Sequence, residues 1–472
     1  MTRIYMINIT GTYTDQYQLA MAQVCFLKGQ HERIATFDYF FRALPFKGGY
    51  AIFAGLEDLL DVLEQLRFEQ QDIEFLQHQN MHPDFIRYLQ QFKFNGTVYT
   101  SLEGDVVFPT RPVVIIEANL IEAQIIETLL LNIINFQTLI ATKARRIRQV
   151  AGERILIDFG LRRAQGAGGY FASRAAIVGG FDSTSNVRAG RDYSIPVSGT
   201  MAHSFIQSYD SEIQAFSDYA EAWPENCILL VDTYNTLQSG IPNAIKIAKE
   251  MEKRGHRLKG IRLDSGDLAW LAKRARHMLD EAGLNYVAIT ASNQLDEYVI
   301  KNLLEQDAPI DAFGVGTNLA IGAPDAALDG VYKLAFINGQ PRIKLSDTPA
   351  KITIPYQKQV YRVFERDGTY RGADVVCLKT EKKIDMMHHP FEILKSLSIK
   401  HYKKEALLHK VMENGKRLLP KKSLGEIARF SQQCFDRLPL EYKRFINPHI
   451  YKVGLSTELK MKRDQLIAEH SR

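Results

Sequence analysis

Between residues 154 and 316 the chain repeats one scheme: a short apolar run, a break on small or charged residues, then a stretch with helical spacing. The apolar runs are Arg154–Asp158, Ala175–Gly179, Ile195–Ser198, Cys227–Asp232, Leu258–Asp264, Tyr286–Thr290 and Ile310–Gly316. Helical spacing fills 163–174, 206–223, 241–254, 268–282 and 295–306. Short buried strands alternating with helices predict a parallel sheet. The fold class expected is α/β: a parallel β/α barrel, regular or else irregular and incomplete, with a second α+β domain built from both chain ends. An open doubly wound sheet is the alternative. In either case the active site belongs at the carboxyl ends of the strands, and most runs end on chemistry: Asp158, Gly180, Ser198, Asp232, Asp264, Ser292 and Gly316.

The flanks read differently. Thr14 or Asp15 can cap a helix that continues through Leu19, Ala22 and Phe26. Phe37–Phe41 alternates as a strand, Leu56–Leu66 is amphipathic, and 97–107 suggests a strand pair around Glu103-Gly-Asp105. Residues 117–150 read as one long helix, with glutamates early and Lys143, Arg145, Arg146 and Arg148 late, matching the helix dipole. Beyond 328 the pattern turns antiparallel: Asn338-Gly339 and Asp367-Gly368 each separate two strand-like runs. From His401 onward the chain reads as basic and helical, with a turn at Asn447-Pro448. Domains are expected at 1–115 (α+β), 116–330 (the barrel) and 331–472, the last packing back on the first.

Composition narrows the function. The 472 residues are 46% hydrophobic and 24% charged, with a net charge of +5. The basic residues are spread and no base-reading module is present, so nucleic acid is not implied, whereas a small anionic substrate suits the balance. Cys25, Cys227, Cys377 and Cys434 lie far apart with no CxxC pair, which suggests neither a zinc site nor a disulfide framework and fits a reducing compartment. The start lacks a signal-peptide core. The most apolar region, 113–140, is interrupted by Glu117, Glu122, Glu127 and Asn132, so a buried helix is expected there and not a membrane span. The expected location is the cytoplasm.

Five segments carry candidate chemistry. Arg162 and Arg163 stand between a strand and a glycine-rich turn. They are either surface arginines or an anion site, and cations opposing a helix N-terminus favour the anion. Gly179–Asn186, with Asp182, is either a sugar or phosphate pocket or an ordinary capped helix start. Arg262 and Asp264 should face the same side of a strand, where a charged pair is costly unless paired or functional. Gly314, Gly316 and Thr317 end the last strand with backbone N–H groups open to a phosphate; no P-loop motif exists. His203 alone reads as a structural histidine, but arginines and hydroxyls around it argue for a nucleophile or acid–base group near phosphate. No HxH or HExxH accompanies it, so no metal held by protein side chains is expected.

Taken together, these segments resemble nicotinate phosphoribosyltransferase. The resemblance runs through Thr14-Asp-Gln-Tyr-Gln18, Phe40-Phe-Arg-Ala-Leu-Pro-Phe-Lys-Gly-Gly49, Leu161-Arg-Arg-Ala-Gln-Gly166, Gly179-Gly-Phe-Asp-Ser-Thr-Ser-Asn186, Ser198-Gly-Thr-Met-Ala-His-Ser-Phe205, Arg262-Leu-Asp-Ser-Gly-Asp267 and Phe313-Gly-Val-Gly-Thr317. Lys358-Gln-Val-Tyr-Arg362 and Arg444-Phe-Ile-Asn-Pro-His449 also match, whereas 344–357 departs from the family pattern. The resemblance implies transfer of phosphoribosyl from phosphoribosyl pyrophosphate to nicotinate, coupled to ATP hydrolysis through a phosphohistidine at His203. It implies Mg²⁺ carried by the substrate phosphates and a homodimer with shared sites. Tyr17 would stack on the pyridine ring from the partner chain, and Arg162, Thr200 and Arg262 would surround nicotinate. Gly314, Gly316 and Thr317 would cradle the 5′-phosphate, with Asp182 and Asp264 near ribose, substrate or metal. A nicotinamide or quinolinate phosphoribosyltransferase is the near alternative, and a non-catalytic barrel that only binds is the remote one.

Overall fold

The computed structural model describes residues 8–392 and 394–470. The chain divides into two compact units, one spanning Lys143–Ala326 and the other formed by the segments on either side of it.

The first unit is built on a six-stranded sheet: β1 (Ile155–Asp158), β2 (Ser183–Thr184), β3 (Ile228–Leu230), β4 (Gly260–Leu263), β5 (Ala288–Ser292) and β6 (Ala312–Val315). The strands lie in the order β2-β1-β6-β5-β4-β3, and every pairing is parallel. The order is cyclic, since the last strand pairs with the first, and among the described residues no pairing joins β2 to β3. The register is level along the carboxyl edge, with Asp158 opposite Val315 and Ser292 opposite Gly314.

Two of the seven expected strands are absent. Ala175–Gly179 ends the helix Gly168–Val178, which is buried along most of its length; a short apolar run cannot by periodicity be told from a buried helix segment. Ile195–Ser198 makes one bridge, Val197 to Thr184. Pro196 has no N–H with which to extend that ladder. The strand that actually follows β1 is Ser183-Thr184, whose polar side chains gave no apolar signal. The run read as one helix over 206–223 is two, His203–Gln207 and Glu212–Ala222, the second capped by Ser211.

The second unit has a seven-stranded antiparallel sheet in which both chain ends interleave. Gly330–Ile337 pairs with Ile34–Phe41, and His409–Glu413 pairs with Thr97–Thr100. A second sheet holds Lys358–Phe364, Tyr370–Leu378 and Lys452–Ser456. The hairpin at Asn338-Gly339 forms with both residues at positive φ, 49° and 78°. The strands within 97–107 do not pair with each other: Thr97–Thr100 joins the large sheet and Val106–Val107 pairs with Ala51–Ile52. The stretch read as one long helix begins as the strand Val114–Asn119 and continues as two helices, Leu120–Ile125 and Glu127–Ala151. The carboxyl tail is not mainly helical, since strands at Lys403–Ala406, His409–Glu413, Lys416–Arg417 and Lys452–Ser456 accompany its helices. No helix among the described residues is long and apolar enough to cross a membrane.

A fully buried ion network ties the two ends of the chain together in this unit. Arg362 donates to Asp105 Oδ1 at 2.7 Å and to Asp374 Oδ1 at 3.1 Å. Arg111 Nε lies 2.8 Å from Asp374 Oδ2, and Tyr451 Oη donates to Asp374 Oδ1 at 2.7 Å. Close by in sequence, the buried Lys358 Nζ lies 2.8 Å from Asp38 Oδ2 and donates to Ile354 O at 2.9 Å, anchoring the end of the 344–358 segment.

Candidate active site

The carboxyl edge of the parallel sheet gathers the chemistry, and Arg262 is its centre. Its side chain leaves β4 and is only 11% exposed. Its Nη1 donates to Thr200 Oγ1 at 2.7 Å and to Met201 O at 3.4 Å, and its Nε donates to Ser292 Oγ at 3.1 Å. Its Nη2 stands 3.5 Å from Asp264 Oδ1, and the guanidinium lies over the Phe159 ring, 5.6 Å from the centroid. Burial lowers the Arg262 pKa; Asp264 and Asp232 push it back up, and the nearby Arg162 charge lowers it further. An arginine does not give up its proton in a protein, so the outcome is a desolvated cation that favours an incoming anion.

Asp264 links the arginine to the histidine. Its Oδ1 accepts from Ser292 Oγ, and its Oδ2 lies 3.7 Å from His203 Nε2. His203 opens the helix His203–Gln207, is partly exposed, and has Nδ1 3.0 Å from Thr233 Oγ1. Asp232, just beyond β3, accepts from Asp264 N at 2.9 Å and Ser265 Oγ at 2.6 Å. Its Oδ1 is buried with no hydrogen-bond partner among the described residues. The chain from Ile195 to His203 makes contacts near both edges of the sheet: Val197 bridges to β2, Thr200 meets Arg262 on β4, and His203 meets Thr233 after β3.

Next to this group runs the loop after β6. A side chain at Gly314 would come within 2.3 Å of the Phe159 ring, so the glycine is required by packing. At Gly316 a side chain would only touch Phe159 O, at 3.3 Å, and Thr317 then opens a four-residue helix. Behind β1, the buried Asp158 accepts from Gly160 N at 2.8 Å and from Ser173 Oγ and Thr184 Oγ1 at 2.7 Å each. Burial raises its pKa against these hydrogen bonds. This clamp orders the turn that carries the exposed Arg162 and Arg163.

Three family models match the chain: the nicotinate phosphoribosyltransferase N-terminal domain over 12–135, the nicotinate phosphoribosyltransferase family over 155–393 and its C-terminal domain over 357–463. The nicotinate phosphoribosyltransferase of Bacillus subtilis is 44% identical, covering 97% of this chain and 95% of that protein. The chain belongs to the nicotinate phosphoribosyltransferase family. The crystal structure of human nicotinic acid phosphoribosyltransferase aligns with a TM-score of 0.88 at 31% identity, covering 96% of this chain and 99% of that one. That of the nicotinate-nucleotide pyrophosphorylase from Pyrococcus furiosus aligns with a TM-score of 0.72 at 25% identity, covering 93% and 99%.

Of the residues that the family resemblance pointed to, the fold brings Thr200, His203, Arg262 and Asp264 together, with the electrostatic reach of Arg162 extending to Arg262. Gly314, Gly316 and Thr317 lie at the same strand edge. Asp182, expected at the phosphoribosyl substrate, is not part of this group. Its Oδ2 accepts from Leu156 N at 2.7 Å and from Arg148 Nη2, which pins it near the amino end of β1, opposite the end that carries Asp158. Tyr17 belongs to the second unit, where it is half exposed on the helix Gln16–Leu27. A cavity of about 850 Å³ in that unit, lined among others by Phe391, His449 and Ile450, contains none of these residues. Sequence reasoning passed over Phe159 and Thr233, and used Asp232 and Ser292 only as strand-end markers. The position just past an apolar run was the signal available for all of these.

Proposed function

We infer that the chain transfers the phosphoribosyl group of phosphoribosyl pyrophosphate to nicotinate, releasing nicotinate mononucleotide and pyrophosphate for NAD synthesis. The observation that carries this reading is the Arg262 cation, only 11% exposed and braced by Thr200 and Ser292 at the carboxyl edge of the sheet. A carboxylate on the pyridine ring meets that demand; the carboxamide of nicotinamide does not. The ring nitrogen is already a nucleophile, so the protein's work is mostly positioning. Departure of pyrophosphate builds positive charge on the ribose, as in glycoside cleavage, and the carboxylate of Asp264 would stabilise it. Gly316 and Thr317 would offer backbone N–H groups for the 5′-phosphate, and Arg162 would join Thr200 and Arg262 around nicotinate.

Mg²⁺, brought in on the substrate phosphates, suits Asp232 and Asp264, since the unpartnered Oδ1 of Asp232 is an oxygen donor awaiting a cation or its water. Bound there, it would supply neutralisation of the pyrophosphate charge. The cyclic strand order supports reading the parallel sheet as an incomplete β/α barrel, broken between β2 and β3. A homodimer in which Tyr17 of one protomer covers the pyridine ring in its partner would account for an exposed tyrosine in a matched family motif. The four cysteines are unpaired thiols, in keeping with a reducing compartment such as the cytoplasm.

His203 is the proposed acceptor of the ATP γ-phosphoryl group. In the tautomer that donates Nδ1–H to the Thr233 hydroxyl 3.0 Å away, the Nε2 lone pair is the nucleophile: the N–P bond forms, the bond to ADP breaks, and water later hydrolyses the phosphohistidine. His203→Ala is therefore expected to abolish ATP hydrolysis and the acid-labile phosphoprotein while leaving some ATP-independent product formation. Incubation with γ-labelled ATP and peptide mapping tests this; label retained by the variant would return His203 to a structural role.

A further inference from the structure

Ser292 has no assigned role in the reaction above, yet its hydroxyl touches both Arg262, on β4, and Asp264, just past its end. The register places Ala291 opposite Leu263, so the next residue, Ser292, falls opposite Asp264. Strand alternation puts the side chains of Arg262 and Asp264 on one side, and Ser292 Oγ sits between them. It accepts from Arg262 Nε at 3.1 Å and donates to Asp264 Oδ1. The residue is 2% exposed, so neither bond is traded for water.

A guanidinium can fork onto a carboxylate through Nε and Nη2 or end-on through Nη1 and Nη2. Here Ser292 occupies Nε and Thr200 occupies one Nη1 proton. Asp264 therefore stays 3.5 Å from Nη2 and does not close a two-bonded pair with Arg262. Without the hydroxyl, Nε would be a buried donor with no acceptor, and the nearest negative oxygen is Asp264 Oδ1. Arg262 and Asp264 would then pair with each other, and both would turn away from the ligand.

We propose that Ser292 is a positioning residue that keeps Arg262 and Asp264 apart, reserving the Nη edge of Arg262 for the carboxylate of the acceptor base. The inference rests on the nicotinate reading of the site. It assigns Ser292 to base recognition and not to binding of phosphoribosyl pyrophosphate, because the hydroxyl acts on the base through Arg262.

The test is steady-state kinetics of Ser292→Ala and Ser292→Thr with nicotinate and phosphoribosyl pyrophosphate each varied. Loss of a hydrogen bond to a charged group is expected to raise the KM for nicotinate about ten-fold or more in Ser292→Ala. The KM for phosphoribosyl pyrophosphate should stay within about two-fold, and Ser292→Thr, which keeps the hydroxyl, should recover most of the nicotinate affinity. If Ser292→Ala does not fold, Ser292→Cys, which keeps the volume but is a weak donor and acceptor, is expected to show the same selective rise. An unchanged nicotinate KM in the folded Ala or Cys variant, equal rises in both KM values, or a folded Thr variant as impaired as Ala would overturn the proposal. Wild-type protein that turns over no nicotinate would instead overturn the reading of the reaction itself.

Discussion

Arg262→Ala is expected to lower kcat/KM for nicotinate by at least about a hundredfold, the scale of losing one partner of a buried charge pair. The cause is specific. The Arg262 side chain is only 11% exposed, and its Nη1 and Nε are fixed by Thr200 and Ser292, so its fork is held in place, whereas the neighbouring Arg162 is exposed. Nicotinamide turnover, which never used the charge, should fall far less. Arg262→Lys keeps the charge but not the planar fork, and should sit between the two. Side-by-side kinetics on both bases check this, and equal losses on both would show that Arg262 serves the fold and not the base. The same variant tests whether the site is shared between protomers. Tyr17→Ala and Arg262→Ala should each be nearly inactive alone, and verified mixed dimers of the two should regain part of the activity. Mixed dimers without recovery would place the whole site within one chain.

The second large effect concerns stability. Asp374→Ala removes the carboxylate that Arg111, Arg362 and Tyr451 share in the interior of the second unit. Two buried guanidinium groups then share one carboxylate of this network, Asp105, 2.7 Å from Arg362 and 3.7 Å from Arg111. Breaking a buried pair by removing one partner costs about 3–5 kcal/mol. Tyr451→Phe, which deletes one hydrogen bond to that carboxylate, should cost about 1.5–3 kcal/mol. Because Asp105 and Arg111 come from the amino-terminal segment while Arg362, Asp374 and Tyr451 come from the carboxyl-terminal one, the loss should release the join between the chain ends. Denaturant unfolding followed by tyrosine fluorescence is the measurement; an Asp374→Ala midpoint equal to that of wild type would contradict this account of the network.

What could be read from sequence follows from where side-chain periodicity is decisive. β1, β3, β4, β5 and β6 were legible because each is an apolar run ending on Asp, Ser or Gly, and those ends supplied the site. Ala175–Gly179 was misread because alanines buried in a helix give the same apolar run as a buried strand. Ser183-Thr184 was missed because its side chains hold Asp158 and its neighbours instead of filling a core. Asp182 sits in a matched family motif, yet it faces Leu156 N and Arg148; a motif fixes the neighbourhood, while the direction of each side chain is set by tertiary contacts. The pair Arg262 and Asp264 was legible from strand alternation alone. Thr233 was not, because its partner His203 is 30 residues away in sequence and only the tertiary fold brings the two together.

The central claim is that this site joins phosphoribosyl to nicotinate. The most direct measurement supplies the purified chain with phosphoribosyl pyrophosphate, Mg²⁺ and ATP, together with isotopically labelled nicotinate, nicotinamide or quinolinate in parallel, and follows labelled mononucleotide by chromatography. The account predicts nicotinate mononucleotide from nicotinate, at an efficiency at least about a hundredfold above that with nicotinamide, as expected where a mostly desolvated arginine loses its ligand carboxylate. Comparable efficiency on nicotinamide, or product from quinolinate alone, would contradict it.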